Sequence, residues 1–184
     1  MSVFIDRDKS AVLVIDVQNA VVKKAHLRDE IVAHINSLVA LARKNSVPVI
    51  WVQHSDEDLV IDSDGWQIVP ELAPLEGEEI IRKTFRSSFE HTDLEDVLST
   101  LEVSHLFICG AQTNNCVRHT LHAALERGYD VTLVSDAHTA SDYEWKGHKI
   151  IAKNVIDEQN DNLSGYKLPG RSAQVIESSS ITFL

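Results

Sequence analysis

The chain has 184 residues and a formal net charge of −11 at pH 7, from 17 Lys plus Arg against 28 Asp plus Glu. That length fits one domain over 1–184, with enough chain to bury a core on both faces of a sheet, and the acidic balance repels phosphate backbones and anionic lipid, which argues against nucleic acid or a membrane surface as partner. The N-terminal "MSVFIDRDKS" has no apolar core of signal-peptide length and the apolar runs are too short to span a bilayer, so the expected location is the cytoplasm.

In chain order, "AVLVIDVQ" (11–18) reads as a first strand with Asp16 and Gln18 at its end. "DEIVAHINSLVALARK" repeats Ile31, Ile35, Leu38 and Ala42 at spacings of three and four, which predicts an amphipathic helix. "PVIWVQH" (48–54) is a second strand ending in His54, and the stretch 55–77 that follows is long for an α/β connection and is expected to border a pocket. "EEIIRKT" (78–84) is a third strand carrying Lys83, and "TDLEDVLSTLE" opens a helix with Thr92 and Glu95 in a capping-box pattern. "HLFICGA" (105–111) and "DVTLVSDA" (130–137) are strands on either side of the helix "CVRHTLHAALER", which Gly128 stops, and "AQVIESS" (173–179) is the last strand. The strand runs are continuously apolar rather than alternating, so both sheet faces are covered. Alternation of strand and helix predicts a largely parallel sheet whose ligands bind outside the carboxyl ends of the strands.

The residues with chemistry cluster at those ends. Cys116 falls at the start of a helix, where unpaired N–H groups and the dipole favour a thiolate, and its polar neighbours Thr113, Asn114 and Asn115 set it apart from Cys109, which lies inside an apolar strand and reads as a small buried hydrophobe. Asp16 could take a proton from a thiol, cap a helix or sit in a structural ion pair. Lys83 could hold Asp16, steady a thiolate, offset charge on a substrate oxygen or be merely solvated. Gln18 is a candidate to contact the substrate or to support a residue that does, His54 to contact the substrate or make a structural hydrogen bond, and Trp66 and Phe89, with Trp51 and Phe85, are candidates to line the pocket. His119 and His122 stand one turn apart, but no HExxH or paired-cysteine motif accompanies them, so neither a metal nor a cofactor is expected. Both cysteines read as free thiols; a redox pair of Cys109 with Cys116 would need backbone movement to close.

The segments "VIDVQN", "RKTFRSSF" and "CGAQTNNCVRHTLHAALERGYDVTLVSDA", with "HTASD" and "SSSITF" beyond them, resemble the signature segments of the isochorismatase-like cysteine hydrolases, which include nicotinamidases, N-carbamoylsarcosine amidohydrolases and ureidoacrylate hydrolases. The likeness runs from about residue 10 to the C-terminus. It implies a three-layer α/β sandwich with a mostly parallel six-stranded sheet of Rossmann-like topology. It also implies a triad in which Cys116 is the nucleophile, Asp16 the general base and acid, and Lys83 its charge partner. A cis peptide between Ala111 and Gln112 would aim the backbone N–H groups of Gln112 and Cys116 into an oxyanion hole. The implied reaction is cleavage of a C–N bond in a small amide, carbamoyl or ureido compound through a thioester acyl-enzyme. Nicotinamidases carry Asp-x-His after the second strand to hold a metal; "VQHSDEDLV" offers Gln53 or Val52 at the Asp position, so a metal-independent enzyme is expected. The alternatives are a vinyl ether hydrolase of the isochorismatase type, which generally lacks the cysteine, and a non-catalytic binding member. Family members commonly assemble, so a homo-oligomer, dimer or tetramer, is expected around a small-molecule substrate.

Overall fold

A strand covered on both faces needs an apolar side chain at every position, and the first strand, β1 (Lys9–Ile15), meets that demand from Ala11 onward. Ala11, Leu13 and Ile15 enter one core, and Val12 and Val14 enter the other. The computed structural model describes residues 2–183. After β1 come a single turn, α1 (Asn19–Val22), then α2 (Arg28–Lys44), β2 (Val49–His54), β3 (Glu79–Lys83), α3 (Leu94–Thr100) and β4 (Val103–Ala111). A π-helical turn, Thr113–Val117, leads into α4 (Arg118–Arg127) and β5 (Asp130–Thr139). The hairpin β6 (Tyr143–Trp145) and β7 (His148–Ile150), α5 (Ala152–Ser164), β8 (Lys167–Leu168) and β9 (Arg171–Ile176) follow.

The central sheet has the order β3-β2-β1-β4-β5-β9-β8, with every pair parallel except β8 on β9. The six expected strands are all present and parallel. The seventh, β8, is a two-residue antiparallel edge strand, too short to leave a pattern in the sequence. α2 lays Ile31, Ile35, Leu38 and Ala42 on one face of the sheet, as its spacing predicts. α3 and α4 cover the other face through Leu94, Leu98, Leu121 and Leu125, joined there by Leu163 of α5. From β1 the chain builds outward through β2 and β3, then returns to place β4 on the other side of β1 and builds the opposite way. The crevice between the carboxyl ends of β1 and β4 is therefore the topological switch point, the preferred ligand site of such sheets.

Three local features differ from expectation. The Thr92–Glu95 capping box does not form: Thr92 Oγ1 donates to Ser88 O at 2.6 Å, a local alternative that delays the helix to Leu94. α5 is not among the elements that periodicity predicts, because its buried stripe of Ala152, Ile156 and Leu163 is broken by a buried Gln159. The hairpin β6–β7 has three-residue strands whose β6 side chains are all exposed, so no apolar alternation announces it. Among the described residues no helix is long and apolar enough to cross a membrane.

Candidate active site

Three strand ends converge at the switch point. Asp16 leaves β1 in the left-handed conformation, with φ 51°, while its N–H still bonds to Val52 O at 3.0 Å, so the carboxyl turns over the sheet edge instead of following the pleat. Gly110 makes that approach possible from the β4 side. Its φ is 118°, and a Cβ there would lie 2.0 Å from Ile15 O, so no other residue fits beside the end of β1. Beyond it the Ala111–Gln112 peptide bond is cis, as the resemblance implies, and the chain enters the π turn that carries Cys116. Such single π turns recur at functional sites.

Lys83 reaches this point from the end of β3. Its Nζ lies 2.7 Å from Asp16 Oδ2, 3.1 Å from Phe85 O, 3.2 Å from Cys116 Sγ and 3.4 Å from His54 Nδ1, and both charged side chains are almost wholly buried. Among the described residues no donor other than Lys83 and the Cys116 thiol is directed at the Asp16 carboxyl. His54 Nε2 faces Asp56 Oδ2 at 3.0 Å, so the ring donates there and presents Nδ1 to Lys83 as an acceptor.

The protonation state differs from the thiolate expected of a helix start. Burial, and after it the charge of Asp16, pushes the Cys116 thiol up to about 12 against the pull of Lys83. Burial also raises the Asp16 carboxyl above its ordinary range, with Lys83 opposing. Cys116 lies inside the π turn, ahead of α4, so the unpaired N–H groups of an α-helix start are not gathered around its sulfur. The arrangement is a neutral thiol beside a basic carboxylate, with an ammonium touching both.

A cleft of about 350 Å³ opens onto these groups. It is lined by Asp16, Ala20, Val21, His54, Asp56, Arg86 and, from the end of β4 and the turn after it, Ala111, Gln112, Asn115 and Cys116. Asp56, Arg86 and Asn115 are missing from the sequence-predicted set, although each stands within three residues of a predicted one. Among the described residues Arg86 makes no hydrogen bond or ion pair.

Of the predicted contacts, His54 and Gln112 line this cleft; Gln18, Trp66 and Phe89 do not. The buried Gln18 amide donates to His54 O at 2.9 Å and Trp66 O at 2.7 Å and accepts from His54 N at 2.9 Å, so it joins β1 to β2 and to the following loop away from the cleft. Trp66 is buried and lines a separate cavity of about 410 Å³ with Gln53, Leu72 and Ile80, where the Arg82 guanidinium sits 5.6 Å from its ring. Phe89 is buried in the α3–α4 core, 5.9 Å from the Tyr129 ring, and Trp51 is buried on the α2 face with Nε1 donating to Glu78 Oε2 at 2.7 Å. Phe85 contributes its carbonyl to Lys83 while its ring is half exposed.

The positions that hold a metal in nicotinamidases do not fit one here. Val52 is apolar, the Gln53 amide donates to Trp66 O at 3.3 Å, and His54 Nδ1 faces the Lys83 ammonium. Among the described residues no group of three His, Cys, Asp or Glu stands together as a metal site. The two thiols lie on opposite faces of the sheet: Cys109 is buried in the α2-side core with Sγ toward Leu13 O, and Cys116 packs against the α3–α4 core. That separation leaves no geometry for a Cys109–Cys116 bond.

Fold and site together define an α/β protein with an Asp–Lys–Cys cluster at the switch point of a parallel sheet. Residues 10–156 match the isochorismatase domain, and the chain belongs to the isochorismatase family of hydrolases. It is 32% identical over 142 residues to streptothricin hydrolase of Streptomyces noursei, covering 74% of this chain and 56% of that protein, so it spans little more than half of that relative's length. It is 26% identical over 171 residues to the ureidoacrylate amidohydrolase of Klebsiella pneumoniae, covering 70% of this chain and 72% of that protein. The crystal structure of an isochorismatase from Pseudomonas putida superposes with a TM-score of 0.86 at 29% identity, covering 96% of this chain and 93% of that one.

Proposed function

We propose that the protein is a cysteine hydrolase that cleaves the C–N bond of a small amide, carbamoyl or ureido compound through a thioester acyl-enzyme, with no metal taking part. The observation that carries this reading is the bridge made by Lys83 Nζ between Asp16 Oδ2 and Cys116 Sγ at 2.7 and 3.2 Å, with Asp16 and Cys116 lining a cleft of substrate size. The name of the ureidoacrylate relative supports the substrate class.

Attack begins from the neutral thiol. Sγ bonds to the substrate carbonyl carbon as its proton passes to Asp16, whose raised pKa suits it to accept one. The oxyanion takes hydrogen bonds from the backbone N–H groups of Gln112 and Cys116, where losing one donor costs on the order of 3 kcal/mol of barrier. Asp16 returns the proton to the nitrogen as the C–N bond breaks, leaving the thioester. Water then adds to the thioester and gives a proton to Asp16. Asp16 passes that proton back to sulfur as the acid departs. Lys83 remains a cation throughout, holding the carboxylate in place and facing the sulfur while charge moves between them.

Arg86 adds a constraint on the substrate. A cation in the cleft without a partner among the described residues suits a compound that carries an anionic group away from the scissile bond. Arg86→Gln is expected to raise KM by roughly tenfold for carboxylate-bearing ureido or carbamoyl compounds and leave KM for neutral amides unchanged, as loss of uniform binding does.

The test is ammonia release from primary amides, carbamoyl and ureido compounds in the presence of a chelator, with Cys116→Ala alongside. Release that survives the chelator and disappears in the variant is expected. Release that persists in Cys116→Ala, or that the chelator abolishes, would overturn the reading.

A further inference from the structure

Behind the π turn runs a hydrogen-bonded chain that the reaction above does not use. Thr113, the first residue of the turn, is fully buried, and its hydroxyl lies 2.8 Å from Nδ1 of His138 on β5. His138 is fully buried too, with Nε2 3.0 Å from Asn160 Oδ1 on α5, and Asn160 Nδ2 donates to Ser135 O at 3.2 Å. These contacts assign the protons. The Asn160 amide nitrogen faces a carbonyl, which can only accept, so its Oδ1 is the acceptor towards His138 and Nε2 carries the ring hydrogen. Nδ1 is then a bare acceptor, and the Thr113 hydroxyl donates to it. Burial depresses His138 to about 4, so the ring stays in this neutral tautomer at neutral pH.

The sheet is distorted to put His138 there. β4 and β5 pair at Ile108↔Leu133 and again at Gly110↔His138, so β5 advances five residues (138 − 133) while β4 advances two (110 − 108). An irregularity of this kind re-aims a side chain. Here it sets an imidazole opposite Gly110, two residues before Gln112. A buried polar chain is costly unless every member is satisfied; in this one each donor meets an acceptor. The three elements it joins are β5, α5 and the turn that carries the thiol.

We propose that His138 is a positioning residue: through Thr113 it anchors the start of the π turn in the arrangement that sets Cys116 Sγ beside Lys83 Nζ. It touches neither substrate nor sulfur. The inference rests on Cys116 being the reacting group, but its test does not depend on knowing the substrate.

Thr113→Val keeps the branched shape and removes the donor, whereas Thr113→Ser keeps the hydroxyl. The readout is the rate of Cys116 alkylation by iodoacetamide against pH, followed on the peptide that contains it, with the thermal midpoint measured alongside. In the native protein the alkylation midpoint is expected to lie above that of an ordinary thiol, since the sulfur is buried beside Asp16. In Thr113→Val the sulfur leaves its neighbours, and the midpoint is expected to fall towards that of a free cysteine, about 8.5. Thr113→Ser is expected to restore the native profile. For any amide the native protein hydrolyses, Thr113→Val is expected to lower kcat by roughly tenfold or more with KM little changed, as a small misplacement of a reacting group does. His138→Phe, which removes the acceptor and keeps a ring, is expected to give the same alkylation shift. A lowered thermal midpoint with an unchanged alkylation profile in both variants would overturn the proposal, as would loss of the fold in both with Thr113→Ser intact, since each outcome makes the chain purely structural. If the native protein hydrolyses nothing while the alkylation profiles shift as described, the reaction proposed above fails and the positioning role stands.

Discussion

Lys83 has three N–H bonds to give, and four acceptors surround its nitrogen: Asp16 Oδ2, Phe85 O, Cys116 Sγ and His54 Nδ1. That crowding fixes the ammonium and makes its charge indispensable to Asp16. Removing one partner of a buried ion pair leaves the other unpaired, so Lys83→Met is expected to cost about 3–5 kcal/mol of stability in denaturant unfolding. Asp16→Asn combined with Lys83→Met is expected to recover most of that loss while remaining inactive, a coupling that a double-mutant cycle reads directly. The pH profile carries a second prediction. In the proposed reaction Asp16 must be ionised to act as base, and its pKa is raised, so turnover is expected to fall on acidification at a pH above the ordinary carboxylate range. Since burial pushes the thiol up to about 12 and the proposed reaction passes its proton to Asp16, turnover is expected to stay level across the alkaline range; a climb with thiol ionisation would show that sulfur attacks as a preformed thiolate. The meeting of Asp16, Lys83 and Cys116 at one end of the sheet was legible in the sequence because Asp16 and Lys83 close apolar strands and Cys116 lies in the turn after one. The state of the thiol was not, because it depends on burial and on the nearness of Asp16, which residue spacing does not contain. Gln18 was legible as a polar residue near the site, and of the two roles open to it the structure favours support: its buried amide bonds to His54 and Trp66.

The elements around the triad show what Gln18 supports. The stretch 55–77 is long, and its length suggested a border to the pocket. In the structure only Asp56 from its start reaches the cleft, and its middle is strapped to the segment after β1: Asn19 N donates to Gln67 O at 2.9 Å, Ala20 N to Gly65 O at 2.9 Å, and Val69 N to Val17 O at 3.0 Å. Gln18 closes this strap from the inside. Gln18→Leu strips partners from His54 N, His54 O and Trp66 O, and is expected to cost about 3 kcal/mol and to speed limited proteolysis within 55–77. Gly110, near the end of β4, is as exacting. Gly110→Ala would set a methyl group against Ile15 O in a conformation L-residues rarely adopt, so recovery of folded protein is expected to collapse. Strands and the large amphipathic helix were readable from apolar runs and from three-and-four spacing. The capping box did not form because the Thr92 hydroxyl had the Ser88 carbonyl within reach, a partner outside the motif.

At the scale of the molecule, the parallel sheet sets helices on both faces and gathers its chemistry at one end. His138 links that architecture to pH. The native state keeps the ring neutral down to about 4, whereas the unfolded chain binds a proton below about 6.5. The unfolded state therefore holds more protons between those values, so the stability gained by burying the neutral ring is complete above about 6.5 and is lost on descent to about 4, on the order of 3 kcal/mol in all. Unfolding free energies measured at pH 7 and pH 4.5 should differ by less in His138→Phe than in the native protein. The two thiols also share a fate set by the sheet between them. Should peroxide convert Cys116 to a sulfenic acid, Cys109 is walled off on the far face and cannot condense with it, so repair falls to small thiols that enter by the substrate's own cleft. A substrate lodged over the sulfur would then both occupy the enzyme and shield it, and inactivation by peroxide is expected to slow as the cleft fills.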